Sequence, residues 1–156
     1  MRAVGITGHQ KAPTRVWEML AARLPEVLGA PPFLGVTSLA AGADQEFADE
    51  VLRLGGSLFA VIPTRDYETT FTSLTTLHRY ESLLDRSARV EFMDFPEPSE
   101  EAYLAAGRRV VDLSDVVVAV WDGLPAKGKG GTADVVEYAD QRRKPVVRIW
   151  PEGEHR

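Results

Sequence analysis

Gly130-Gly131-Thr132 lies between an unbroken apolar, β-branched run, Asp115 to Val120, and a segment in which Val135, Val136 and Ala139 recur at helical spacing. Strand, glycine loop and helix start together make an anion cradle. A helix N-terminus offers unpaired N–H groups and a positive dipole end, and glycine lets a phosphate approach the backbone with no Cβ in the way. The implied ligand is a phosphate-bearing small molecule. Lys127 and Lys129, in the loop before the glycines, are of the right type to clamp a phosphate, although loop lysines are commonly only solvated. Trp121-Asp122-Gly123 ends the strand. A carboxylate at the end of a buried strand needs a partner, and a ribose hydroxyl or a nearby Lys or Arg would serve.

Three other stretches carry comparable side chains. Gly8 and His9 follow the first apolar run, Gly42-Ala43-Asp44 precedes a helical segment, and Arg65 and Tyr67 lie in a polar loop after Pro63. Each also has a plain structural reading. Gly42 to Asp44 could be a loop and cap favoured by the helix dipole. A single histidine is commonly a packed loop residue, and no second histidine stands at metal-ligand spacing, so no metal site is expected. Tyr67 and Phe71 could stack on a base, with core packing the simpler fate for Phe71. Trp121 and Trp150 are assigned to packing or to an oligomer face, which is compatible with a homodimer.

The elements that must position these residues alternate along the chain. Expected strands are Ala3 to Thr7, Phe33 to Leu39, Ser57 to Ile62, a short edge strand Arg89 to Met93, Asp115 to Val120, and Val146 to Trp150. Between them, Val16, Leu20, Leu24 and Leu28, then Phe47, Ala48 and Val51, then Leu77 and Leu84, then Ala106 and Val110 follow the helical period. Pro25 is expected to kink or end the first helix early. Ser99 reads as an N-cap followed by Glu100 and Glu101. Alternating strands and helices imply right-handed βαβ units. The expected fold is therefore α/β, a single-domain Rossmann-like, doubly wound and mostly parallel sheet of about six strands with helices on both faces. The loops after strands one, two, three and five should share one cleft. The domain is expected over residues 1–151, with 152–156 a frayed tail.

Composition limits the alternatives. The 156 residues, 44% hydrophobic and 26% charged, suit a globular domain. No apolar stretch is long enough to span a membrane and none at the start suits a signal peptide, so a cytoplasmic setting without membrane association is expected. The absence of cysteine excludes thiolate metal sites and cysteine nucleophiles. A net charge of −5 argues against nucleic acid as a partner, which ordinarily requires clustered positive charge. No cofactor is expected.

Gly5-Ile6-Thr7-Gly8 lacks the three-glycine dinucleotide fingerprint. The chain instead resembles the SLOG superfamily, named for the DNA-processing (Smf) proteins and the Lonely Guy enzymes. Ser38-Leu39-Ala40-Ala41-Gly42-Ala43-Asp44, with Leu54-Gly55-Gly56 and Ala60-Val61-Ile62-Pro63 after it, resembles the second-strand glycine motif and the strand that follows. Arg108 stands where relatives carry an arginine ahead of the central strand, and Gly130-Gly131-Thr132 resembles the phosphate motif. The resemblance spans roughly residues 4–149. Lonely Guy phosphoribohydrolases carry a glutamate three residues after the motif threonine; here that place is Val135, with Asp134 before it and Glu137 beyond.

Two functions follow. The first is a sensor or carrier that holds a nucleotide or related phosphate ligand through Gly8, His9, Gly42, Ala43, Asp44, Arg65, Tyr67, Asp122, Gly123, Lys129, Gly130, Gly131 and Thr132. The second is a phosphoribohydrolase-like enzyme in which Asp134, Glu137 or Asp122 would stabilise an oxocarbenium-like centre and Arg108 would orient the phosphate. A third, weaker reading is a non-catalytic interaction domain. Similarity to the DNA-processing proteins would suggest single-stranded DNA, against which the acidic balance and the lack of an aromatic-basic stripe count.

Overall fold

A computed structural model describes residues 1–125 and 131–155. Its elements are β1 (Arg2–Gly8), α1 (Thr14–Leu28), β2 (Phe33–Thr37), α2 (Ala43–Arg53), β3 (Ser57–Ile62), a 3-10 turn (Tyr67–Thr70), α3 (Leu74–Asp85), β4 (Arg89–Phe92), α4 (Glu100–Leu113), β5 (Val116–Val120), α5 (Thr132–Gln141) and β6 (Val146–Ile149). All six strands are parallel, in the order β4-β3-β2-β1-β5-β6. The chain therefore builds outward from β1 to β4, crosses back, and adds β5 and β6 on the other side. The strand order reverses between β1 and β5, where the loops leaving the two strand ends part and open a crevice.

Burial explains the sequence pattern. Every residue of β5 is buried, as an apolar run in a doubly covered strand requires. One face of the sheet is covered by Val16, Leu20 and Leu24 of α1, Phe47, Ala48 and Val51 of α2 and Leu83 of α3. The other is covered by Ala106, Val110 and Val111 of α4 and by Val135 and Ala139 of α5. Ser99 caps α4 by accepting a hydrogen bond from the Ala102 N–H at 3.1 Å.

One expectation is corrected. The first helix does not end near Pro25 but continues to Leu28. Leu24 and Leu28 are both fully buried, and holding that apolar stripe against the sheet outweighs the hydrogen bond that a proline cannot donate. Beyond the last strand, Glu154 makes two contacts. The Trp150 indole N–H donates to the Glu154 carbonyl at 2.8 Å, and the Glu154 carboxylate pairs with Arg15 at 2.9 Å. No helix among the described residues is long and apolar enough to cross a membrane.

Candidate functional site

Crowding at the switch point determines the shape of the site. A Cβ on Gly8 would lie 2.5 Å from that of Ala43 and 2.8 Å from that of Val120, so β1, α2 and β5 meet there at a separation only glycine allows. Gly42 adopts φ +83°, and a side chain on it would strike the Gln10 backbone at 2.3 Å. Two hydrogen bonds hold the junction: the His9 N–H donates to the Val120 carbonyl, and the Ala43 N–H donates to the His9 carbonyl, each at 3.1 Å.

Above this junction lies a cleft of about 420 Å³, within the range of small-molecule sites. Gly8, His9 and Gln10 line its floor; Ser38, Ala40, Ala41 and Asp44 line one side, and Tyr67, Thr70 and Phe71 continue that wall. Tyr103, Gly107 and Val110 of α4 lie opposite, and Gly131, Thr132, Ala133 and Val135 close the end.

The two helix starts differ in what they can hold. At α2 the Ala43 N–H is taken by the His9 carbonyl and the Gln45 N–H by the Ala40 carbonyl at 3.2 Å. Ala43 is fully buried, and neither it nor Gly42 lines the cleft. At α5 the backbone turns in through Gly131, which is the cap residue, and the N–H groups of Thr132 and Ala133 meet no acceptor among the described residues. The phosphate chemistry expected at both helix starts thus finds open donors at α5, whereas at α2 the Asp44 N–H alone of the first three helical residues meets no acceptor among the described residues. Gly130 and the two loop lysines, Lys127 and Lys129, lie outside the described residues.

His9, Asp122 and Thr132, from the ends of two neighbouring strands and the start of α5, form one buried chain. The His9 ring is 9% exposed and the Asp122 side chain 4%. His9 Nε2 lies 3.3 Å from Asp122 Oδ1, and His9 Nδ1 lies 3.5 Å from the Thr132 hydroxyl. Trp150 meets the ring edge-on at 5.5 Å between centroids. Asp122 Oδ1 also accepts from the Leu124 N–H at 3.0 Å. The partner this carboxylate requires is therefore supplied by the protein, and Asp122 itself does not line the cleft.

Asp44 contrasts with it. The residue is 7% exposed and lines the cleft, and its Oδ2 accepts from the Ala40 N–H at 3.3 Å. No cation pairs with it among the described residues. Burial pushes its carboxyl up to about 7, partly opposed by the Ala40 and Ser38 N–H groups and the Thr37 hydroxyl. Tyr67, 5% exposed, is raised well above the usual phenol range by the same burial and by the neighbouring Asp44. It packs edge-on against Phe71 and Tyr80, with ring centroids 5.3 and 5.4 Å away.

The remaining expected site residues do not line the cleft. Arg65 is exposed and lies 5.8 Å from the Phe92 ring at the β4 edge. Gly123, at φ +87°, faces the Arg148 guanidinium. Arg108 is exposed and lies over the Tyr138 ring at 5.2 Å; Glu137 is exposed; Asp134 is half-buried outside the lining. Val135, at the place of the Lonely Guy glutamate, does line the cleft and presents an apolar side chain there. Tyr103 and Gly107 were not foreseen. Gly107 carried a signal, since a glycine inside a helix usually has a packing reason; a Cβ there would meet Val135 Cγ2 at 2.6 Å.

Neither a family profile nor a curated protein sequence matches the chain. Solved structures do. DNA processing protein A from Streptococcus pneumoniae aligns with a TM-score of 0.74 at 18% identity over 98% of this chain, which spans about half, 52%, of that protein. DNA processing protein A from Helicobacter pylori, solved for its single-stranded DNA binding mode, gives 0.70 at 21% identity over 98% of this chain and 67% of its own. The molybdenum cofactor binding protein from Rippkaea orientalis gives 0.62 at 18% identity over 94% and 75%. The fold is of the SLOG type. One expectation falls here: the argument against nucleic acid does not hold, because this fold serves a single-stranded DNA binder. Net charge averages over the whole surface, whereas a strand end needs only local donors.

Proposed function

We propose that the cleft binds a nucleotide or nucleotide-derived phosphate ligand, as a sensor or carrier. The observation that carries this reading is the opening of the Thr132 and Ala133 N–H groups, at the dipole end of α5, onto a cleft of about 420 Å³ at the switch point. The phosphate belongs at Gly131 to Ala133. The base belongs toward the β2 and β3 ends, between Tyr67 and Phe71 on one wall and Tyr103 on the other. Hydrolysis at the N-glycosidic carbon finds less support, since Val135 brings methyl groups where the reaction needs a carboxylate.

Thermal shifts and calorimetry with a panel of nucleoside monophosphates test the reading. A ligand present at about 100 times its dissociation constant should stabilise the protein by roughly 2.7 kcal/mol. Gly131→Asp should abolish that gain. Gly131 has φ −71°, which any residue adopts, and aspartate is a favoured cap, so the fold should survive while a carboxylate occupies the cradle. Retained affinity in this variant would move the phosphate elsewhere, and release of free base by the wild-type protein would restore the enzyme reading.

A second reading is that the same donors take a backbone phosphate of single-stranded nucleic acid, favoured by the likeness to the Helicobacter structure. Fluorescence anisotropy with a labelled oligothymidylate separates the two. Binding that is lost in Gly131→Asp and falls steeply with salt supports it; affinity confined to mononucleotides rejects it.

A further inference from the structure

Asp44 is the carboxylic acid among the described residues lining the cleft, and the phosphate reading does not use it. It lies in the β2 to α2 connection, on the side of the cleft away from α5, beside Tyr67. Geometry makes it an unusual group to expose to a ligand. It is more than nine-tenths buried, has no cationic partner among the described residues, and is held from its own loop by the Ala40 N–H. Other titratable groups of the cleft wall are Tyr67 in the connection after β3, Tyr103 on α4 and His9 after β1; none of these is a fixed cation. A carboxylate anion here would be both desolvated and uncompensated, and an anionic ligand would add to that cost. A protonated carboxyl avoids the cost and gains a hydrogen to donate.

We propose that Asp44 is a specificity-determining residue of the cleft, donating a hydrogen bond from its protonated carboxyl to an acceptor atom of the ligand, so that binding takes up a proton. The inference rests on the nucleotide reading above and adds to it the chemistry of the base-side contact: an acceptor such as a ring nitrogen or a carbonyl oxygen. Burial of the carboxyl, which raises its titration to about 7 in the free protein, makes the coupling fall in an accessible range. As pH rises through that range the donor is lost and affinity should fall, by about thirtyfold between pH 6 and pH 8.5 if the anion does not bind.

The test uses the full chain, adenosine and guanosine monophosphates as probes, and Asp44→Asn as comparison, since the amide keeps a donor that does not titrate. Calorimetry in buffers of different ionisation enthalpy should show proton uptake on binding near pH 8 in the wild type and a smaller uptake in Asp44→Asn. The variant should keep its affinity at high pH, which removes the contributions of His9 and of the ligand phosphate common to both proteins. A carbon-13 titration of the Asp44 carboxyl in the free protein should place its midpoint well above the usual aspartate range. Affinity without an Asp44-dependent proton uptake, or an ordinary aspartate midpoint, would overturn the proposal and leave the nucleotide reading standing. Failure of every probe in the nucleotide panel would remove the nucleotide reading and this inference together.

Discussion

Gly42→Ala is expected to lower the stability of the protein by about 4 kcal/mol and its melting temperature by roughly 10 °C. Two costs combine. A residue with a side chain at φ +83° loses on the order of 1–2 kcal/mol from backbone strain alone. The added Cβ would also lie 2.3 Å from the Gln10 carbonyl oxygen, 2.5 Å from its carbon and 2.6 Å from its Cα. That backbone has little room to retreat, because His9 next to it is hydrogen-bonded to both Val120 and Ala43. Gly29→Ala is the control: Gly29 has φ +76° with nothing within 4 Å of the added carbon, so it should show the strain cost of about 1–2 kcal/mol and no more. Chemical denaturation of the two variants measures the difference. Equal losses would mean that the Gln10 loop yields and that the junction beneath the cleft is not rigid.

Asp44→Asn should make the protein more stable above neutral pH. The carboxyl titrates near its usual 3.8 in the unfolded chain and at about 7 in the native one, so the native state binds more protons over that interval. Stability is therefore fully present below the unfolded value and falls as pH rises through the native one. At pH 8 the wild type should have lost up to the order of 4 kcal/mol relative to pH 4 through this group. The amide carries no such dependence, so the stability curves of the two proteins should separate progressively between about pH 4 and 7, with the variant higher on the alkaline side. Parallel curves across that window would show that water or a nearby group solvates the Asp44 anion in the native state.

Much of the architecture was legible in the residue pattern because local rules and tertiary context agree there. The valine run before Trp121, the periodic leucines of α1 and the glycine pair after α2 each allow one sensible element. Pro25 shows where a local rule loses: the buried leucines on either side of it, Leu24 and Leu28, carry the helix onward. The site was legible only in part. Of the candidates that residue type and spacing mark, Gly8, His9, Asp44, Tyr67, Gly131 and Thr132 line the cleft, whereas Gly42, Ala43, Asp122, Arg65, Gly123, Arg108, Asp134 and Glu137 do not. Nearness in sequence to a strand end says which loop a residue occupies and leaves open where its side chain turns.

The sequence by itself determined the order of strands and helices and the end of the sheet at which a ligand would meet the chain, because hydrophobic period and glycine placement are local properties. Only the tertiary structure decided which donors each helix start keeps open and which acid stands in the cleft. Both depend on contacts between segments far apart in the chain. The His9 carbonyl takes the Ala43 N–H, and the His9 ring lies against Asp122, which together leave α5 as the more open cradle and Asp44 as the cleft's own carboxyl.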